Sequence, residues 1–181
     1  PIDTAHEMNG KKQWYGTFQE YFEALSDLAM AVNVAPLVGH SQVRRMVMGP
    51  GDAQPAPSQL DRMKSYIDEA MQVGAFGLST GLIYAPGVYA RTPEIASLAS
   101  VAARYGGFYA THLRSEADLM VDALMEAIDV GRQSGLRVQV SHHKASGRRN
   151  WGLVKTTLDV MEYARKLDVE ITCDVYPYTP S

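Results

Sequence analysis

Short runs of apolar residues, rich in β-branched and aromatic types, recur along the chain, and each stops at polar residues. Five such runs predict β-strands, over residues 34–38, 76–80, 108–112, 138–142 and 169–174. Between them apolar residues recur at helical spacing, as at Phe18, Phe22 and Leu25. Strands and helices therefore alternate, which is the pattern of an α/β fold.

The helix boundaries are marked by capping and terminating residues. Thr92 is the expected N-cap of a helix after Ala90, with Pro93 at its first position. A second helix is predicted over about residues 117–132, ending near Gly135, and a third over about residues 153–167. These helices separate the last four predicted strands.

The spacing of the strands favours a barrel. From residue 76 onward they begin roughly 31 residues apart, the size of one βα unit. Apolar strands without alternation indicate a parallel sheet covered on both faces. A doubly wound sheet fits this rhythm too, but the sequence has no GxGxxG phosphate turn, so a (β/α)₈ barrel is favoured. Such a barrel needs eight units and about 250 residues, so we expect elements to be missing at both ends.

Composition and charge narrow the function. The chain has 181 residues, 46% of them hydrophobic, and a net charge of -3 from interspersed acids and bases. This excludes a nucleic-acid partner and favours small soluble substrates. No run approaches the roughly 20 apolar residues of a membrane span, so a cytoplasmic location is expected. Pro1 follows no initiator Met or signal pattern, and is expected to be an artificial or processed boundary.

Two histidines end neighbouring predicted strands. His112 and His142 lie 30 positions apart, at equivalent places in adjacent units, where barrel enzymes keep their active sites. Neighbouring strands are about 4.8 Å apart, so both imidazoles could bind one ion. A single histidine here would more often satisfy a local hydrogen bond, but the pair in register predicts a metal site, and zinc suits neutral imidazole.

Charged residues surround this pair. Arg114 and Lys144 could hold a substrate carboxylate, although ordinary surface salt bridges explain them equally well. His143 should point away from His142 if the strand continues, which predicts a supporting role and not a metal ligand. The single cysteine, Cys173, excludes an internal disulfide and is expected to face the helix layer.

Aromatic residues follow two of the strands. Residues 81–90 form a loop after the strand predicted over residues 76–80. Tyr84 within this loop could line an acyl or side-chain pocket, or could simply pack. Asp174 ends the last strand beside Tyr176, and could support a ligand or form a polar wall. Tyr84 and Tyr176 are our candidates for substrate contact.

Four segments resemble one enzyme family. The sequences GLSTGLIY, THLRSE, SHHK and DVYPY, at residues 77–84, 111–116, 141–144 and 174–178, together resemble the N-acyl-D-amino-acid deacylases of the amidohydrolase superfamily. The resemblance runs from about Val32 to the end. It implies a zinc-binding (β/α)₈ barrel that hydrolyses the amide of N-acyl-D-amino acids, with His112 and His142 as zinc ligands and Lys144 at the substrate.

The resemblance also implies missing parts. The family's HxH pair on strand one, its bridging Cys after strand two and its general-base Asp after strand eight have no counterpart here. Residues 1–181 are thus expected to be a partial barrel domain, about five units comprising strands 3 to 7, inactive or poorly active alone. The strand predicted over residues 76–80 would be strand four of the barrel. It ends in Leu78-Ser79-Thr80 without the carboxylated Lys of many amidohydrolases, as in the Cys-bridged deacylase branch.

Two alternatives stay open. The first is a cyclic-amide hydrolase of the dihydroorotase or hydantoinase type, which would act on rings; the missing strand-four Lys opposes it. The second is a non-catalytic fragment that self-associates, since an open sheet has unpaired edges that invite pairing.

Overall fold

The computed structural model describes residues 6–8, 11–13 and 15–178, with side chains from Tyr15 onward. A short antiparallel hairpin, which the sequence pattern does not predict, pairs β1 (His6–Met8) with β2 (Lys11–Gln13). None of the helices in the described part of the chain has both the length and the hydropathy that a membrane span requires.

The rest of the described chain alternates strands and helices, as predicted. The strands are β3 (Val38–Gly39), β4 (Gly77–Gly81), β5 (Phe108–His112), β6 (Arg137–Val140) and β7 (Ile171–Cys173). The helices are α1 (Phe18–Ser26), α2 (His40–Met48), α3 (Pro57–Gln72), α4 (Thr92–Ala103), α5 (Met120–Ser134) and α6 (Leu153–Arg165). The α/β class and the parallel sheet are confirmed.

The five strands β3 to β7 are all parallel and lie in sequence order. Each helix from α2 to α6 contacts the next along the chain, so they form a single layer. A right-handed crossover repeated in one direction places every helix on the same face of the sheet. A doubly wound sheet reverses its strand order instead, and no reversal occurs among the described strands.

The two faces of the sheet differ in chemistry. Leu78, Tyr109, Val138 and Ile171 are in register and buried in the core beneath the helices. The alternate positions carry Ser79, Ala110, Gln139 and Thr172 on the opposite face. Cys173 packs against the helix-side core, as predicted. His112 has the same parity as Ala110, so it belongs to the face away from the helices.

Several sequence predictions about element ends are wrong, and one of them concerns β7, which covers only residues 171–173 of the predicted 169–174. β3 contains only two residues and begins at Val38, because Pro36 has no N–H to donate to a ladder, although its carbonyl accepts from Phe76 N at 2.8 Å. β6 ends at Val140, so His142 lies beyond the strand. The N-cap of α4 is Arg91, and Thr92 is already helical, with its hydroxyl donating to Glu126.

A hydroxyl network is buried between β4 and β5. Thr80 Oγ1 lies 2.9 Å from Tyr109 Oη and donates to Thr111 Oγ1 at 2.8 Å. Burial raises the pKa of Tyr109 to about 12, despite the opposing hydrogen bonds. The phenol therefore stays neutral near pH 7, and the three side chains satisfy one another inside an apolar core.

Helix α2 buries charge where a helix normally buries apolar residues. His40 and Arg44 are fully buried, and Glu94 at the start of α4 is 5% exposed. His40 Nε2 lies 2.9 Å and Arg44 Nε 3.6 Å from the same oxygen, Glu94 Oε1. Arg44 also donates to the carbonyl of Ala53 at 2.6 Å. This cluster fixes α2 to α4.

Candidate metal centre

The structure brings His112 and His142 together at the carboxyl ends of β5 and β6. Their ring centroids are 4.5 Å apart, and His112 Nδ1 lies 2.9 Å from His142 Nε2. Two imidazole nitrogens on a tetrahedral zinc ion, with bonds of 2.0–2.1 Å, are separated by about 3.3 Å. The two lone pairs therefore need only a small adjustment to reach one ion.

Glu116 lies against the opposite nitrogens of the two rings. Its Oε1 is 3.0 Å from His142 Nδ1 and 3.9 Å from His112 Nε2, and its side chain is 12% exposed. Sequence analysis did not single out this residue. The only signal was its place in the THLRSE segment, four residues after His112, where an ordinary surface acid would look the same.

Two charged groups lie beside Nδ1 of His142, the Glu116 carboxylate and the Lys144 amine. Lys144 Nζ also approaches His142 Nδ1, at 3.2 Å, but it donates to Glu116 Oε1 at 2.7 Å. Glu116 Oε1 is the nearer neighbour of this nitrogen, and a proton on Nδ1 would face the carboxylate and leave the Nε2 lone pair free. A carboxylate behind a ligating histidine fixes ring orientation and tautomer in this way.

These side chains fit a divalent metal ion such as zinc. Within the described chain, His112, Glu116 and His142 form a group whose potential ligand atoms all lie within 4.8 Å of one another. Burial lowers the pKa of His112 below its ordinary value, although the Glu116 charge opposes the shift. The His112 ring is therefore neutral near pH 7, which is the form that binds metal.

The backbone at His142 is held in an uncommon conformation. Its φ is +41°, in the left-handed region that residues other than glycine rarely adopt. Asp174 Oδ1 accepts from the His142 N–H at 2.6 Å, and Asp174 Oδ2 accepts from Gln139 Nε2 at 2.7 Å. The backbone carbonyl of Asp174 accepts from His143 N at 2.7 Å. Asp174 therefore supports the backbone that aims the ring.

His143 points into the helix layer. Its Nε2 lies 2.9 Å from Thr157 Oγ1 on α6, and the residue is 6% exposed. Burial lowers the pKa of His143. Because the chain has already left the strand at Val140, this direction comes from the turn and not from strand alternation.

Lys144 and Tyr176 lie on the open side of the pair. Lys144 Nζ is 5.4 Å from the Tyr176 ring centroid, and the His142 and Tyr176 rings are 6.3 Å apart. Burial alone would lower the pKa of Lys144, but hydrogen bonds to Glu116 and Tyr176 outweigh it and raise that pKa. A protonated amine therefore lies beside the candidate metal position near pH 7.

A cavity of about 570 Å³ opens beside these residues. Its lining includes His142, Lys144, Arg148, Trp151 and Tyr176. The Arg148 guanidinium lies 5.7 Å from the Trp151 ring centroid. A cavity of this size, with aromatic walls and cationic groups, suits a small anionic ligand.

Two other predicted site residues meet at the loop after β4. The Tyr84 ring, 60% exposed, lies 5.2 Å from the His112 ring. Arg114 does not reach into the 570 Å³ cavity; it forms a two-pronged pair with Glu126 and donates to the carbonyls of Val88 and Ala90.

Comparison with known proteins gives a consistent set of relatives, although no protein-family model matches the chain. An N-acyl-D-aspartate deacylase from Alcaligenes xylosoxydans xylosoxydans is 42% identical over 167 residues, which are 91% of this chain and 34% of the relative. The chain thus spans about a third of the length of the curated relatives it matches.

Two solved structures share the fold. The crystal structure of an N-acyl-D-glutamate deacylase from Bordetella bronchiseptica, complexed with zinc and a phosphonate that mimics the tetrahedral intermediate, superposes with a TM-score of 0.88 at 37% identity. The match covers 93% of this chain and 36% of that one. A D-aminoacylase that defines a novel subset of amidohydrolases gives a TM-score of 0.89 at 34% identity. The match covers 98% of this chain and 39% of that one.

Proposed function

Because this chain is homologous to the N-acyl-D-amino-acid deacylases, a subset of the amidohydrolases, we propose that its protein hydrolyses N-acyl-D-amino acids in a zinc-dependent reaction. Water adds to the acyl carbon, the amide C–N bond breaks, and the products are a carboxylate and a free D-amino acid. One observation carries the proposal: two imidazole nitrogens lie 2.9 Å apart at adjacent strand ends, with the Glu116 carboxylate 3.0 Å from the far nitrogen of His142.

We propose that the described sheet forms strands 3 to 7 of a (β/α)₈ barrel. Its sequential strand order, its single helix layer and its similarity to the deacylase structures support this. The same arrangement leaves β3 and β7 as sheet edges among the described strands. Pairing of two copies through these edges stays a prediction; a strictly monomeric protein in light scattering at high concentration would contradict it.

His112 and His142 would hold the metal ion. Zinc bound there supplies Lewis acidity to the amide carbonyl and to water. Glu116 would hold a proton on His142 Nδ1 and so leave Nε2 free for the metal ion, while Asp174 holds the His142 backbone. Glu116 Oε1 already accepts from Lys144 and approaches His142 Nδ1. We assign the proton transfer to an aspartate outside this chain, as the resemblance to the deacylases implies.

The cationic side chains would orient the substrate. Lys144 lines the 570 Å³ cavity and stays protonated near pH 7, so it can attract the α-carboxylate of an N-acyl-D-amino acid as a point charge. Tyr176 and Trp151 supply apolar walls for the acyl group or the side chain. Tyr84 approaches from the other side, next to His112.

The activity is tested with the full-length protein and matched substrates. Free amino acid is measured after incubation with N-acetyl-D-methionine, N-acetyl-L-methionine, N-acetyl-D-glutamate and dihydroorotate, with zinc quantified in the same sample. Release from the D-substrates alone is expected. Ring opening of dihydroorotate without release from linear substrates would instead establish a cyclic-amide hydrolase.

Replacing Lys144 by methionine is expected to raise KM for N-acetyl-D-amino acids about 10- to 100-fold with a smaller change in kcat, as for the loss of one charged hydrogen bond of ~1.5–3 kcal/mol. Lys155→Met is the matched control, because Lys155 forms an exposed i,i+4 pair with Asp159. The Lys144→Met variant should hydrolyse the carboxamide analogue of the substrate as well as the wild type does. An equal loss on that analogue would contradict carboxylate binding by Lys144.

A further inference from the structure

The Arg114 guanidinium joins three segments that meet beside the candidate metal centre. Its Nε and Nη2 donate to the two carboxylate oxygens of Glu126 on α5, at 2.7 and 2.9 Å. Its Nη1 donates to the carbonyl of Val88 at 2.7 Å, and its Nη2 donates to the carbonyl of Ala90 at 2.8 Å. Arg114 itself lies two residues after His112, so the contacts connect the end of β5 to α5 and to residues 81–90.

Few donors of Arg114 remain for a ligand. A guanidinium has five N–H groups in a fixed fork, and four of them are engaged by Glu126, Val88 and Ala90. A two-pronged grip on a substrate carboxylate would require breaking this set. The Arg114 and Glu126 side chains are 28% and 13% exposed, so water competes only weakly for these bonds, and charge-assisted bidentate pairs are among the strongest.

The bonded loop leads directly to Tyr84. Val88, whose carbonyl Arg114 holds, donates its own N–H to the carbonyl of Tyr84 at 2.8 Å. The Tyr84 N–H in turn donates to the carbonyl of Gly81 at the end of β4, at 3.2 Å. The Tyr84 ring then lies 5.2 Å from the His112 ring. A continuous path of contacts therefore runs from Arg114 to the aromatic group beside the metal ligand.

The same loop is closely packed at Gly87. A side chain at Gly87 would stand 2.7 Å from the carbonyl oxygen of Gly81 and 2.8 Å from Ser41 Oγ, so the backbone is held against α2 there. Arg114 restrains the next part of the loop through the carbonyls of Val88 and Ala90. The base of the loop is thus restrained at Gly87, Val88 and Ala90, whereas Tyr84 remains 60% exposed.

We propose that Arg114 is a positioning residue whose pair with Glu126 clamps residues 81–90 to β5 and α5, and so sets the place of Tyr84 against His112. The inference rests on the proposed function only for its effect on the reaction. The clamp itself is a property of the fold. Arg114 acts through Val88 and Ala90, without touching the substrate.

Hydrogen exchange tests the clamp without any activity measurement. Arg114→Lys keeps the positive charge, but an ammonium group cannot hold a carboxylate and two carbonyls with the geometry of the fork. Amides within residues 82–90 should exchange about tenfold faster in this variant, because the free energy of local opening of this segment would fall by ~1.4 kcal/mol. Arg132→Lys is the matched control, because Arg132 forms an exposed pair with Asp129 on α5. Unchanged exchange in residues 82–90 would overturn the proposal.

A double-mutant cycle tests whether Arg114 acts through Tyr84. Arg114→Lys and Tyr84→Ala are each expected to lower kcat/KM about tenfold, the first because a small misplacement near the reacting groups is costly and the second because it removes the ring beside His112. The double variant should be no worse than the poorer single variant. Multiplied effects would overturn the proposal, since they would show that the two residues act independently.

Glu126→Gln provides a second test that separates the clamp from substrate binding. If Arg114 held the substrate, freeing it from Glu126 would preserve or improve KM. The clamp instead predicts faster exchange in residues 82–90 and lower kcat/KM, with zinc content unchanged. A wild-type protein that releases no D-amino acid would refute the proposed function, and the exchange data would still decide on the clamp.

Discussion

Replacing His142 by alanine is expected to lower zinc affinity by on the order of 10²- to 10³-fold and to abolish measurable amide hydrolysis. Removing one ligand forfeits a share of the ~10–16 kcal/mol that zinc binding contributes in a site of three or four ligands. The measurement is zinc per chain after exhaustive dialysis, with His112→Ala expected to give the same result. Full zinc retention in either variant would show that the ligand assignment is wrong.

The neighbouring residue supplies the control for this experiment. His143→Gln changes the adjacent imidazole, which lies against Thr157 and away from the pair, so zinc should be retained. Glu116→Gln should weaken zinc binding by about 10- to 100-fold, the usual effect of losing a partner that orients a ligand. A loss as large as that of His142→Ala would instead make Glu116 a ligand.

The proximity of the two histidines could be predicted because both follow neighbouring parallel strands, although the register that pairs Thr111 with Val140 continues to Ser141, one residue short of His142. His112 ends a strand whose bounds the apolar pattern predicted correctly, residues 108–112, and parallel neighbours bring their carboxyl ends to one edge. What the pattern could not show is the conformation of His142. Its positive φ depends on a hydrogen bond to Asp174, 32 residues later, and no local signal reports such a contact.

Arg114 and Glu116 show a second limit. Both are charged residues in a polar segment, and sequence alone left Arg114 between a substrate carboxylate and an ordinary salt bridge while giving Glu116 no role. Their partners, Glu126, Lys144 and His142, lie on other elements. Which of two nearby charges a side chain meets is decided by the packing of those elements, which the spacing of residues does not encode.

Helix α2 was missed for a different reason. Hydrophobic periodicity identifies a helix by its apolar face, but α2 buries His40 and Arg44 together with Val43. The apolar signal is therefore absent where burial is greatest. The partner that makes this burial possible, Glu94, is 54 residues away from His40 in the chain.

That arrangement predicts a large loss of stability when Glu94 is removed. Glu94→Ala leaves the Arg44 guanidinium at 0% exposure without its counter-charge, and breaking a buried pair in this way costs ~3–5 kcal/mol. The free energy of unfolding is measured by urea denaturation, in which a lower midpoint at constant slope reports stability.

Glu162→Ala is the matched control, because Glu162 is also helical but pairs with Arg165 in solvent, where such pairs contribute about 0–1 kcal/mol. His40 Nδ1, Arg44 Nε and Glu94 Oε2 have no hydrogen-bond partner among the described residues, so the cluster is only partly satisfied. Equal effects of the two alanine variants would therefore mean that Ala53 and the surrounding backbone already solvate Arg44. A loss confined to Glu94→Ala would show that its carboxylate holds α2 against α4, below the loop that carries Tyr84.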